Sequence, residues 1–117
     1  MYSLVVFILD DTNLCNDLLD AWESAGIRGV TILESSGLGR IRQAALLDNL
    51  PLLPSLHDLF KAGESHHRTL FTVVNSQEKI DALVEATQSV VGDLEKPDTG
   101  LLFVVPVSQV YGKGKVT

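Results

Sequence analysis

The apolar residues of the first third of the chain fall into short runs and one stretch with helical spacing. Residues 2–9 form a β-branched and aromatic run that is too short for a typical helix, which predicts a buried strand. An amphipathic helix is predicted next, ended by Gly26. Its apolar stripe consists of Leu14, Cys15, Leu18, Leu19, Trp22 and Ala25. Residues 29–34 then predict a second strand.

The last half of the chain has the same order of patterns. Residues 68–74 predict a third strand, and Asn75 with Glu78 resembles a capping box that starts a helix with Asn75 as its cap. The apolar stripe of this helix is Ile80, Leu83, Val84, Thr87, Val90, Val91 and Leu94. Residues 101–107 predict the fourth strand, in which Pro106 indicates a strand end or a sheet edge.

The resulting order, βαβ followed by βαβ, is typical of a ferredoxin-like α+β fold, βαββαβ. We expect one domain over residues 1–117, with a four-stranded antiparallel sheet and both helices on one face. Because the strands are apolar throughout, we expect another subunit to cover the opposite face. The connection of about residues 35–67 is far longer than the roughly two to five residues of a hairpin loop, which indicates a functional element.

Composition and charge exclude several classes of protein. The net charge of −6 is unsuitable for binding nucleic acid or an anionic membrane surface. Cys15 is the only cysteine, so an internal disulfide and a zinc–thiolate cluster are excluded, and a reducing cytoplasm is the expected location. No apolar stretch approaches the roughly 20 residues that span a bilayer, so no direct membrane insertion is expected. The first residues predict a strand rather than a signal peptide.

The segment ILDDTN places two carboxylates, Asp10 and Asp11, after the first strand. A receiver domain or another Mg²⁺-dependent phosphotransfer site would use such a pair, but a receiver needs five βα units. The favoured interpretation is that these residues cap the first helix. Cys15 and Trp22 lie on the apolar stripe of that helix and are predicted core residues.

Three histidines, His57, His66 and His67, are candidates for metal ligands. Adjacent side chains of an extended segment point to opposite sides, so His66 and His67 would not ligate one ion together. We therefore expect solvated loop histidines and no metal site. Because no Ser/His/Asp or Cys/His arrangement stands out either, we do not expect an enzyme.

The long connection begins with a glycine-rich segment in which Gly37, Gly39 and Arg40 lie within four positions. By itself the segment is compatible with a plain turn and with a phosphate cradle. It also follows the predicted second strand directly, so it forms the root of the connection.

Two stretches, GIRGVTILESSGLGR (residues 26–40) and TGLLFVVPV (residues 99–107), resemble the P-II family of nitrogen-regulatory signal proteins. In that family a G-x-x-G-x-T-x-x-E segment precedes G-x-G-R at the root of a long loop, the T-loop. The resemblance implies a homotrimer with adenine-nucleotide sites between subunits. It also implies that the T-loop docks onto transporters, enzymes or transcription factors. The implied ligand site consists of Thr31, Gly37, Gly39, Arg40, Gly100 and Lys113.

The chain departs from the P-II pattern where a nucleotide's phosphates and metal ion are usually held. Ile41 replaces a glutamine, Leu101 and His67 replace lysines, and Asp98 replaces a glycine. A triphosphate needs cations or a metal besides backbone N–H donors. Our hypothesis is therefore that the chain binds a smaller anion than ATP, such as AMP, a cyclic nucleotide or bicarbonate, or none.

Two functions follow from these observations. The first is a cytoplasmic, homotrimeric P-II-like regulator that senses a small anionic metabolite or an adenine nucleotide (ATP, ADP, AMP or a cyclic nucleotide). It would regulate a partner of nitrogen or carbon metabolism, including a membrane transporter, through the long loop. The alternative is a trimeric ferredoxin-like structural or metal-tolerance protein without a nucleotide site. The leucine-rich segment 44–60 is either a docking surface or a clasp on its own trimer.

Overall fold

The computed structural model describes residues 1–36 and 66–117 of the chain. Its helices and strands, in chain order, are β1 (Tyr2–Leu9), α1 (Cys15–Ser24), β2 (Thr31–Ser36), β3 (His66–Val74), α2 (Gln77–Val91) and β4 (Leu101–Val107). Single turns of 3₁₀-helix lie at Thr12–Leu14 and Lys113–Lys115. The predicted βαββαβ order is confirmed.

The four strands form one antiparallel sheet with the order β2-β3-β1-β4. The predicted α+β class with a four-stranded antiparallel sheet is therefore confirmed. β4 pairs with β1 alone, so it is an edge strand, as Pro106 predicts. Pro106 lies opposite Ser3 and has no backbone N–H to donate.

Two strand boundaries differ from the prediction. β2 begins at Thr31 rather than Gly29. The Gly29 carbonyl accepts a 2.5 Å hydrogen bond from the Thr72 hydroxyl instead of pairing within a strand. A Cβ on Gly29 would lie 3.1 Å from the carbonyl oxygen of Lys115. β3 begins two residues earlier than predicted, at His66, because β2 continues to pair with it as far as Ser36.

One predicted helix cap is displaced by one residue, and the other is found at a predicted residue. Ser76, not Asn75, caps α2: its hydroxyl accepts a 3.3 Å hydrogen bond from the Lys79 N–H, and its extended backbone is typical of an N-cap. Before α1, the Asp11 carboxylate accepts a 3.1 Å hydrogen bond from the Asn13 N–H, which caps the 3₁₀ turn that leads into the helix.

Both helices cover the same face of the sheet. Side chains that alternate along the strands, such as Phe7 and Leu70, are fully buried beneath them. Cys15 and Trp22 of α1 are buried in the same core, as predicted. The two helices are joined directly by a buried hydrogen bond from Trp22 to Thr87.

The other face of the sheet, which we call the open face, has no helix over it in the described part of the chain. Cross-strand register places Leu33, Phe71, Val6 and Phe103 among its residues. Large side chains on it remain exposed to solvent: Leu33 by 52%, Leu101 by 57%, Phe103 by 40% and Val105 by 40%. A continuous apolar surface of this kind marks an interaction surface.

A bilayer could not be crossed by any helix in residues 1–36 and 66–117, since each is too short or too polar.

Candidate functional site at the loop end of the sheet

Both roots of the long connection lie at one end of the sheet, which we call the loop end. β2 finishes at Ser36 and β3 starts at His66, and these two residues are paired across the strands. β1 also finishes at this end, where Ile8 lies opposite Leu101 at the start of β4. The carboxyl end of β1 and both loop roots therefore share one small region.

A row of polar residues crosses the open face at the loop end. Ser35 of β2 is the direct partner of His67 in β3. Leu9 is paired with Arg68, so the next residue of the chain, Asp10, lies opposite His67 on its other side. Because side chains alternate along a strand, all three residues of the row belong to the open face.

The row contains an Asp–His pair. The Nε2 atom of His67 lies 3.4 Å from Oδ1 of Asp10, and the side chains are only 15% and 27% exposed. This His67 nitrogen is buried and has no hydrogen-bond partner among the described residues. The expectation of a solvated loop histidine is thus wrong for His67, because β3 extends far enough to include it. Asp10 faces His67, so only the neighbouring Asp11 has the predicted capping role.

Next to the pair, the hydroxyl groups of Ser35 and Thr69 lie 2.9 Å apart and share a hydrogen bond. They are diagonal neighbours, since Thr69 is paired with Leu33. Either hydroxyl can be the donor, so each keeps the capacity to bond a further group.

The positively charged residue at this end of the described strands, Arg68, lies on the helix-covered face and not on the open face. Arg68 is the only lysine or arginine in the four described strands, and it lies opposite Glu34. Interaction with the side chain of Cys15 raises the pKa of the Arg68 guanidinium above its usual range, and the nearby Glu34 carboxylate adds to the increase. Because Arg68 is paired with the buried Leu9, it belongs to the helix-covered face and not to the face of the polar row.

Gly100 lies close to the loop end, where neighbouring atoms leave no room for a side chain. It has φ +110°, in the region that favours glycine, and a Cβ there would lie 2.5 Å from the carbonyl oxygen of Ile8 and 2.8 Å from the Phe7 ring. Two residues earlier, Asp98 has φ +62°. Aspartate tolerates this left-handed conformation better than most residues, which explains how it stands where the resemblance implies glycine.

The remaining predicted ligand residues are not gathered within one chain. Thr31, at the start of β2, is exposed on the open face opposite Phe71. Lys113 lies at the other end of the sheet, with its Nζ 5.7 Å from the centre of the Tyr2 ring. Three further predicted ligand residues and one histidine lie outside the described residues: Gly37, Gly39, Arg40 and His57.

No group of three or more His, Cys, Asp or Glu side chains suited to a metal ion occurs among residues 1–36 and 66–117. Asp10 and His67 form a pair without a third ligand of these types in that part of the chain.

The Asp10–His67 pair is the feature that sequence reasoning missed. The two residues are 57 positions apart, and the pair depends on the register between β1 and β3. The sequence does contain a signal for the pair. The alternation of side chains along the predicted strands 2–9 and 68–74, continued by one residue, places Asp10 and His67 on the same face.

Comparison with known proteins agrees with this architecture. The family model described as nitrogen regulatory protein P-II matches residues 3–113. The chain belongs to the P-II family, and the resemblance stated from residues 26–40 and 99–107 is confirmed. A search of curated proteins finds no match.

Solved structures of the same family share the fold at low sequence identity. GlnK of B. subtilis is 16% identical, with a TM-score of 0.58 over 92% of this chain and 85% of that one. P-II of Arabidopsis thaliana bound to citrate is 17% identical, with a TM-score of 0.60 over 92% of this chain and 75% of that one. The GlnK–ATP complex of B. subtilis is 16% identical, with a TM-score of 0.56 over 92% and 82%. At these identities the likeness supports the fold alone.

Proposed function

We propose that this protein is a homotrimeric signal transducer that binds a small anionic metabolite or an adenine nucleotide between its subunits. Ligand binding would bias the long loop between two arrangements, and a partner protein would bind one of them. The observation that carries the proposal is the apolar open face of a P-II-family sheet, on which Leu101 is 57% and Phe103 40% exposed.

The open face supports assembly because its apolar side chains are exposed to solvent, whereas those of the helix-covered face are buried. Val5, Phe7 and Leu70 on the covered face are inaccessible to solvent, whereas Leu33 and Leu101 on the open face are more than half exposed. Covering such a surface with identical copies removes apolar area from water at about 25 cal/mol per Å².

We place the ligand site at the loop end, where both loop roots meet the polar row. In this proposal Thr31 and Gly100 shape the cleft, while Gly37, Gly39 and Arg40 form the loop base and pair with an anion. Lys113 lies at the opposite end of its own sheet, so it would serve the site of a neighbouring copy. A related GlnK forms a complex with ATP, and a related P-II protein binds citrate, which supports small anions as the ligand class.

The partner in this proposal is a cytoplasmic protein of nitrogen or carbon metabolism or the cytoplasmic face of a membrane transporter. The leucine-rich segment 44–60 would provide the docking surface. A regulatory role without turnover is consistent with membership of the P-II family.

Titration calorimetry of the full chain with ATP, ADP, AMP and cyclic AMP tests the ligand. We expect saturable binding of at least one of these nucleotides, with light scattering on the same sample reporting a trimer. No heat with any of the four, from an intact trimer, would contradict nucleotide sensing. That result would favour the structural alternative.

A further inference from the structure

The polar row contrasts with the rest of the open face. Moving away from the loop end, the next rows contain Leu33, Ile8 and Leu101, and then Val6 and Phe103. Ser35, His67 and Asp10 thus form a polar rim, and Thr69 and Thr31 are the polar residues of the two apolar rows next to it. A few convergent polar groups at the edge of apolar surface are the usual composition of a small-molecule site.

The Asp–His pair of this rim is incompletely satisfied. Charge-assisted N–H···O bonds are usually about 2.7–2.9 Å long, but His67 Nε2 lies 3.4 Å from Asp10 Oδ1 without hydrogen-bond geometry. Buried polar atoms nearly always have a partner, and one that lacks it needs a specific explanation. Pairs of this kind often shorten only when a ligand is bound.

The chemistry of the rim selects a hydroxylated ligand group. A carboxylate accepts hydrogen bonds only, whereas an imidazole and a serine hydroxyl can each donate and accept. A phosphate or carboxylate group would be repelled by Asp10. An ammonium group would suit Asp10 but, having donors only, could accept no hydrogen bond from an N–H of His67. Neighbouring hydroxyls of one sugar satisfy both needs, since each can donate to Asp10 and accept from His67 or Ser35.

The position of Arg68 supports the same assignment. Arg68 lies on the helix-covered face, paired with Leu9 and Glu34, so its side chain starts on the side of the sheet away from the rim. Carboxylates that bind ribose hydroxyls are a recurrent arrangement in nucleotide sites of other folds.

We propose that Asp10 and His67, with Ser35, bind the vicinal hydroxyls of a ribose, so that the sugar rather than the phosphate chain anchors the ligand. This inference rests on the proposed nucleotide-sensing function and names the part of the nucleotide that the site recognises. It also explains how the site binds a nucleotide although Ile41 and Leu101 replace the usual polar residues.

Calorimetric titration of the intact protein with adenosine and with 2′,3′-dideoxyadenosine tests the proposal. We expect wild type to bind adenosine at least about tenfold more tightly, because the dideoxy compound leaves Asp10 and His67 unpaired. In Asp10→Asn this preference should fall to about twofold or less. Asp11→Asn is the matched control: it changes the adjacent carboxylate, which caps a turn, to another good cap and should keep the preference.

Each other outcome contradicts the inference. Equal binding of the two nucleosides by wild type would exclude hydroxyl recognition, and so would an equal loss of both affinities in Asp10→Asn. Tighter binding of 3′-amino-3′-deoxyadenosine than of adenosine would assign Asp10 to a cation instead. Binding of ATP without any binding of adenosine overturns this inference alone, whereas no binding of either compound contradicts nucleotide sensing as well.

Discussion

The indole Nε1 of Trp22 donates a 2.9 Å hydrogen bond to the hydroxyl of Thr87, and this bond joins the two helices beneath the surface. Both side chains are fully buried. The Thr87 hydroxyl in turn donates to the carbonyl of Leu83 at 2.7 Å. The bond fixes the position of α1 against α2. These two helices cover one face of the sheet, and the candidate site lies on the other face.

Replacing Thr87 by valine is predicted to destabilise the protein by about 1–3 kcal/mol, because the Trp22 N–H is left buried without an acceptor. Thr87→Ser keeps the hydroxyl that accepts from Trp22 and loses only a methyl group, so it should be destabilised less than Thr87→Val. Urea denaturation followed by tryptophan fluorescence gives both values. A loss below about 0.5 kcal/mol in Thr87→Val would show that the bond contributes little.

Gly100→Ala is predicted to cost at least about 2 kcal/mol in the free energy of unfolding, since φ +110° is strained for alanine and the added Cβ meets Ile8 and Phe7. Gly114→Ala is the control, because a Cβ there has no atom within 4 Å, and its effect should stay within about 0.5 kcal/mol. Chemical denaturation measures both variants. Equal stabilities of the two would mean that Gly100 is not needed for packing.

Cys15 is predicted to be inert in the native protein, since only 2% of it is exposed. Its reaction with a chromogenic disulfide such as DTNB should be at least about 100-fold slower in buffer than in denaturing guanidinium chloride, because it requires opening of the core. The absorbance of the released thiolate measures the rate. Comparable rates in the two solvents would place Cys15 outside the core.

The parts of the fold that local pattern determines were predicted correctly. Residues 2–9 and 101–107 form strands with the predicted bounds, and Gly26 ends α1 with φ +91°. The open face also follows from pattern, because strands apolar on both sides cannot be covered by two helices lying on one side. Pro106 indicates which strand lies at an edge, since its missing N–H is tolerated there.

The misplaced boundaries and the polar row depend on residues distant in the chain. The Gly29 carbonyl accepts a hydrogen bond from the Thr72 hydroxyl outside β2, and His66 joins β3 because Ser36 pairs with it. A register between strands decides such contacts, and a single sequence gives it only indirectly. The cap of α2 is a different case, because Asn75 and Ser76 are both good caps and the pattern does not choose between them.

The ligand residues at the loop root, Gly37, Gly39 and Arg40, stay predictions, since they lie outside the described residues. Thr31 and Gly100 stay predictions as ligand contacts too. The structure gives Gly100 a packing role that does not need a ligand.

The assignment of the open face to subunit contacts leads to a prediction with a matched control in the same strand. Phe103 and Val104 are adjacent in β4 and are 40% and 39% exposed, but Phe103 lies on the open face and Val104 on the helix-covered side. Phe103→Lys should dissociate the assembly, because a lysine would be buried between copies without a partner. Val104→Lys adds the same charge at equal exposure and should leave the assembly intact.

Light scattering coupled to size-exclusion chromatography tests this central claim most directly. We expect wild type and Val104→Lys to have three times the 12.7 kDa mass of the chain, and Phe103→Lys to fall to 12.7 kDa while its circular dichroism stays native. A wild-type mass of 12.7 kDa would contradict the account, as would a trimer of Phe103→Lys as stable as that of Val104→Lys.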